Sequence, residues 1–515
     1  MLFNSTVFIA GFLPVVLLGF LLLARHGHPR AAALWLTLAS LVFYGWWAPA
    51  NLPLLLASIA FNYGLGGYLR RKRSRAGLVL GVMVNLALLG YFKYTGFIMG
   101  NLAPLFGGHW AIPDIVLPLA ISFFTFQQIA YLVDAHDGAV EEHGFLNYCL
   151  FITFFPHLIA GPITHHKEML EQFRGADNFT PRLANLALGF TLFLAGLFKK
   201  VLLADPLGEN AAPAFMTAAQ GAVPALQDAW IGALSYTLQI YLDFSGYTDM
   251  AIGLALLFGI RLPANFNSPF KARNVIDYWA RWHMTLTRFL TAYIYNPIVM
   301  RITRRRMAAG QPMPRRGRMP LGAFCMLVAY PTVLTLFISG VWHGAGWQFV
   351  AFGLLHGAYL VAAHGWRAWK VKQGWALDSD RLLHWVPAVL LTFGCVVVAM
   401  VFFRAASLHA AFAMLAGMAG LSQLPFAVHW PQVHALALIA CMLGFVWGLP
   451  NLQQWMGHFN TALNSQPAQH WSQRLLPLSA WRPHPVMGLA LGVLGFFALG
   501  TAFSVAPTEF LYFKF

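Results

Sequence analysis

The stretch LGAFCMLVAYPTVLTLFISGVWHGAGWQFVAFGLLHGAYL, residues 321–360, contains no Lys, Arg, Asp or Glu. At roughly 17–25 residues per crossing, it can span a membrane twice. Its centre reads Ser339-Gly340-Val341-Trp342-His343-Gly344-Ala345-Gly346-Trp347. An imidazole at membrane depth is costly and marks a functional candidate. The alternative is a core histidine hydrogen-bonded to a neighbouring helix. Glycines on both sides leave room for a substrate, or for another backbone, to approach the ring.

The rest of the chain shares this apolar character. Of its 515 residues, 59% are hydrophobic and only 10% are charged, and the mean hydropathy is +0.62. A soluble globular protein carries about 25% charged residues, so the composition predicts an all-α, polytopic transmembrane protein. Spans are expected at 6–24, 31–48, 52–69, 76–98, 114–133, 183–203, 228–258 (broken near Gly246), 321–341, 347–366, 384–403, 433–449 and 486–506. Shorter stretches at 146–160 and 408–421 read as re-entrant or tilted. About 11–13 crossings follow by this count. Val7–Ala24 has no basic region ahead of it and no small-residue cleavage site, so it reads as a retained span.

The net charge of +16 concentrates in Arg25–Arg30, Arg70–Arg75, Arg301–Arg318 and the group Arg367, Lys370, Lys372. The loop Gly100–Pro113 has no Lys or Arg. The positive-inside rule then places the basic loops in the cytoplasm and Met1 outside. No aromatic-interleaved basic surface accompanies the arginines, so nucleic acid is not an expected partner. Lipid headgroups or a polyanionic coenzyme suit them better. Cys149, Cys325, Cys395 and Cys441 lie in apolar segments and read as small core residues.

Three further segments carry polar chemistry. Tyr241–Met250 (YLDFSGYTDM) places Asp243, Ser245, Tyr247 and Asp249 in an apolar stretch. It reads either as a polar helix junction or as the wall of a substrate tunnel. The run Pro263–Phe270 (PANFNSPF) reads as a structured loop, and Asn274–Arg288 as an amphipathic helix with Asp277 and Arg281 paired four apart. That helix carries Trp279, Trp282 and His283, which suit either an interfacial anchor or a second imidazole beside His343. The segment Phe154–Ile163 is broken by Pro156, Gly161 and Pro162 and predicts a re-entrant element. His165 and His166 follow it. No carboxylate or third ligand has metal-site spacing there, so no metal is expected.

Taken in order, GPI at 161–163, DFSGYTDMAIG at 243–253, NFNSPF at 265–270, RWHMTL at 281–286, SGVWHGAGW at 339–347, GLLHG at 353–357 and FLYFKF at 510–515 resemble the membrane-bound O-acyltransferase family. The similarity is to its bacterial polysaccharide O-acetyltransferase branch, of the alginate type. Leu290-Thr291-Ala292-Tyr293 stands where that branch usually has Arg-Asp-Tyr. His157 and His166 replace Gln and Tyr, so the acceptor glycan stays open. The resemblance implies one membrane domain around a tunnel or funnel. Its N-terminal helices would be 1–135, its catalytic core 145–360 and its C-terminal helices 384–515.

By the same resemblance His343 and His283 are catalytic. Asp243, Ser245, Tyr247, Asp249, Asn267, Arg281, Trp282 and Trp342 line the substrate path. Acetyl-CoA is the implied donor, and a periplasmic SGNH-hydrolase-like acetyltransferase is the implied partner that delivers acetyl to a polysaccharide. At about 1.5 Å per residue, the helix entering from the Arg301–Arg318 loop carries His343 toward the outer half of the bilayer. Intramembrane His and Asp also suit an ion-coupled transporter, although the two halves of the chain show no repeat. A structural subunit of an envelope-polymer export complex is the third reading.

Overall fold

The computed structural model describes residues 1–107, 115–141, 144–175, 179–311, 314, 319–375, 382–422, 430–464, 481 and 484–511. Arg315, Arg316, Arg318, the second half of the Gly100–Pro113 loop and residues 512–515 of the closing motif lie outside the described residues. Every described element is a helix, with one isolated bridge between Pro263 and Leu463. Nine helices among the described residues are long and apolar enough to cross a membrane. Three other predicted spans form helices that fall outside this set. Pro29–Gly45 and Ile121–His136 are shorter, with 17 and 16 residues. Leu226–Leu257 is longer but carries the carboxylates of Asp228, Asp243 and Asp249.

Leu226–Leu257 is the axis of the molecule, a continuous helix of 32 residues buried along most of its length. The break expected near Gly246 is not there. Gly246 instead lets the neighbouring helix of the Leu183–Ala219 segment approach. A β-carbon built on Gly246 would lie 2.9 Å from the Gly196 carbonyl oxygen, and one on Gly253 would lie 2.5 Å from that of Gly189. Small residues that permit backbone-to-backbone packing are the usual glue of membrane helices. Thr237 on this helix bonds locally, donating to the Ala233 carbonyl at 2.8 Å.

The 321–360 stretch forms a hairpin. Leu321–His343 ends at its histidine, Gly344 and Gly346 are extended, and Trp347–Lys372 returns. The space beside Gly340 is filled by the returning helix, whose Phe349 oxygen would be 2.4 Å from an added β-carbon. Phe349 also covers Gly344, its ring 2.1 Å from an added β-carbon. These glycines therefore admit neighbouring protein, not a substrate, to the segment around His343.

Two other expectations need correction. Asn274–Arg288 is not one amphipathic helix but two short ones, Val275–Trp279 and Met284–Leu290. Asn274 caps the first through Asp277 N–H at 2.9 Å. His283 separates them in the left-handed region at φ 43°, a conformation that costs a non-glycine residue about 1–2 kcal/mol. In the Arg301–Arg318 stretch, Arg301, Arg304, Arg305 and Arg306 stand on a helix, Asn296–Ala308, and not in a loop. The 146–160 region forms Phe145–Thr153 and Phe155–Leu158, too short to span and buried from Tyr148 onward.

Candidate active site

His343 is the last residue of its helix and is buried. Its ring sits among Trp342 (4.9 Å between centroids), Phe403 (5.1 Å) and Phe352 (5.8 Å). A helix end leaves carbonyls without intrahelical partners, and inside a membrane they must be satisfied by protein. Lys93 and Tyr94 do this from the Arg75–Phe106 helix. Lys93 Nζ donates to the Trp342 carbonyl at 2.5 Å and reaches that of His343 at 3.4 Å. The Tyr94 hydroxyl donates to the Val341 carbonyl at 2.8 Å. Lys93 lies on a π-helical turn, Gly90–Tyr94. Such bulges recur at functional sites.

His283 meets the same indole as His343, its centroid 6.4 Å from Trp342. Asn265 holds it: His283 Nδ1 is 3.0 Å from Asn265 Oδ1. The same oxygen accepts from the Thr285 hydroxyl at 3.0 Å and the Thr285 N–H at 3.4 Å. Two donors from Thr285 fix that atom as the amide oxygen, so His283 must donate from Nδ1 and keep its lone pair on Nε2. The Thr285 hydroxyl in turn accepts from Ile163 N–H at 3.0 Å, joining the GPI motif to the site. A third imidazole, His356, accepts from Trp279 Nε1 at 3.3 Å and lies 4.7 Å from the Phe352 ring.

Not every predicted residue gathers around this pair. Trp342 does, stacked on Phe126 at 5.1 Å. Arg281 pairs with Asp277 at 2.6 Å and donates to the Asn267 carbonyl at 3.3 Å. Asn267 Oδ1 accepts from Gln454 Nε2 at 2.9 Å, and Trp282 stacks on Tyr278 at 5.7 Å, so both shape the loop that leads to His283. Ser245 and Asp249 line a small polar cavity with Lys199, Tyr241, Thr248, Asn265 and Gln453. Asn265 connects this cavity to His283.

Asp243 and Tyr247 face elsewhere. Asp243 Oδ1 lies 2.7 Å from Lys200 Nζ, and its Oδ2 accepts from Leu511 N–H at 2.9 Å. Lys200 also meets Asp205 at 2.9 Å and the Glu509 carbonyl at 3.0 Å. Tyr247 stacks on Phe3 at 4.9 Å and meets Phe510 edge-on at 4.8 Å. Lys199 takes Asp249 at 2.6 Å. The sequence reading missed Lys93, Lys199, Lys200, Asn265 and His356. The three lysines had a legible signal, a cation inside an apolar span.

The sequence that builds this site has known relatives. The family model for MBOAT, the membrane-bound O-acyltransferase family, matches residues 139–309. The "Peptidoglycan O-acetyltransferase" of Helicobacter pylori is 41% identical over 453 residues, covering 82% of this chain and 80% of the relative. The "Probable alginate O-acetylase AlgI" of Azotobacter vinelandii is 37% identical over 429 residues, covering 81% and 78%. The "Teichoic acid D-alanyltransferase" of Bacillus subtilis is 26% identical over 319 residues, covering 59% and 75%. The chain belongs to the membrane-bound O-acyltransferase family. It is a multi-pass membrane O-acyltransferase.

Proposed function

We propose that the protein moves an acetyl group from cytoplasmic acetyl-CoA across a bacterial inner membrane for O-acetylation of a cell-envelope glycan. Of the glycans named for its relatives, peptidoglycan is the acceptor we favour, because the more similar of the two O-acetylating relatives bears that name. The single observation behind the reading is His343, a buried imidazole on a capped helix end with His283 one indole away. Neutral His343 takes the proton of the acceptor hydroxyl as its oxygen attacks the thioester carbonyl. The C–O bond forms, the C–S bond breaks, and coenzyme A leaves as the thiol. His283, with Nε2 as acceptor, orients the donor, while Arg281, Trp282 and Asn267 shape its entry. The acceptor hydroxyl belongs to a periplasmic SGNH-hydrolase-like partner that passes acetyl to the polymer. The basic segments face the cytoplasm and Met1 faces outward, and residues 1–515 act as one domain.

The test is purified full-length protein with labelled acetyl-CoA, with and without the partner and glycan. Loss of thioester matched by labelled ester on partner or glycan is the expected result. Uptake driven by an ion gradient without thioester loss would overturn it.

Lys93 provides a second check on the site. An intramolecular hydrogen bond contributes about 0.5–1.5 kcal/mol net, which corresponds to roughly 2–10-fold in rate if the helix end must be held for transfer. Lys93→Met is expected to lower kcat by that factor with the donor KM unchanged, and Lys93→Arg to restore part of it. An unchanged kcat in Lys93→Met would remove Lys93 from the mechanism.

A further inference from the structure

Away from His343, the fold brings together a second set of ligating side chains. Asp134, near the end of Ile121–His136, meets His165 and His166 at the start of His166–Arg174. Asp134 Oδ2 lies 2.9 Å from His165 Nε2 and 3.5 Å from His166 Nδ1. One ligand atom from each of the three falls within 4.8 Å of the others. His166 is 2% exposed, Asp134 17% and His165 27%, so the group is enclosed with one accessible rim.

We propose that Asp134, His165 and His166 bind a single divalent transition metal ion, zinc in the first instance. Zinc takes imidazole nitrogen and carboxylate oxygen at about 2.0–2.2 Å, which sets neighbouring ligand atoms of a tetrahedron roughly 3.3 Å apart. The two edges from Asp134, 2.9 and 3.5 Å, bracket that separation, and the third lies within 4.8 Å. One carboxylate oxygen is the focus of both rings and also accepts from the Tyr293 hydroxyl at 2.7 Å. Three ligand atoms gathered within 4.8 Å of one another are within reach of one cation, and Tyr293 is the outer hydrogen bond that orients a ligating carboxylate. Water completes the fourth position.

Two contacts oppose the assignment. The Tyr293 hydroxyl lies 2.8 Å from His165 Nε2, the nitrogen that would bind the ion. His165 Nδ1 accepts from Lys167 N–H at 3.3 Å as a helix cap. Coordination through Nε2 would leave the proton on Nδ1 and remove that bond. Two neutral hydrogen bonds, one of them long, are a small loss against metal coordination.

The site has a positioning consequence. Glu168, three residues beyond His165, grips Arg288 at 2.5 and 2.9 Å. Arg288 belongs to Met284–Leu290, the helix that begins immediately after His283. An ion tying Asp134 to His165 and His166 would stiffen the support of that loop without touching substrate.

The experiment measures metal content in full-length protein purified in detergent without a histidine tag, then titrates Co²⁺ into the chelator-stripped protein. About one zinc per chain and a visible tetrahedral Co²⁺ band are expected, both lost in Asp134→Asn and His166→Gln. Wild-type protein with neither zinc nor a cobalt band would overturn the proposal, as would variants that keep both. If a variant fails to fold, the wild-type titration decides alone. Metal content is read without acetyl transfer, so the result stands apart from the proposed activity.

Discussion

His343→Ala is expected to lower acetyl transfer by about 10²–10⁴-fold, the range that a positioned general base contributes. Protein yield and elution profile should stay those of the wild type. The helix end that carries the ring is held through the backbone carbonyls of Val341 and Trp342, which alanine retains. The imidazole is framed by Trp342, Phe352 and Phe403, and Phe352 and Phe403 keep each other as neighbours at 5.0 Å. His343→Gln controls for lost volume and should be as inactive. Initial rates of label transfer, measured on protein that elutes as a single species, decide the matter. A correctly folded His343→Ala with full activity would sink the mechanism.

Lys200→Met is expected to destabilise the protein by about 3–5 kcal/mol, the loss typical when one member of a buried ion pair is removed. Lys200 and Asp243 are each 1% exposed at their side chains, so neither water nor lipid can replace the partner. The methionine leaves Asp243 charged and buried, with only the Leu511 amide to hold it. Adding Asp243→Leu should recover most of the loss, because a buried pair as a whole often contributes little over an apolar pair. Thermal unfolding in detergent of the wild type, the single variant and the double variant provides the measurement. Equal destabilisation in the single and double variants would show that Lys200 acts through something other than Asp243.

Much of the fold was legible because its signals are local. An uncharged run such as 321–360 has to be apolar helix in a membrane, and the Pro156 to Pro162 interruption identifies a buried, non-spanning piece. The misread positions share a physical cause. Gly246 looked like a helix break because glycine is a poor helix former, but its missing β-carbon serves Gly196, a residue on another helix. Lys93 acts on carbonyls 249 and 250 residues away, and Asp243 meets an amide 268 residues on. Asn265 was passed over for Asn267 because both sit in one motif. Only three dimensions show which amide oxygen faces His283. Sequence spacing also kept Asp134 away from His165 and His166, since the carboxylate arrives from a different helix.

The link between Asp243 and Leu511 also has a timing. A ribosome adds about 5–20 residues per second, so on the order of 10–50 s separate the making of Asp243 from that of the amide it will accept. Through that interval the nascent chain carries the carboxylate on a helix already destined for the interior, with Lys200 as its early companion. Chains halted in between would lack the Leu511 amide and hold the Asp243 carboxylate with Lys200 as its partner.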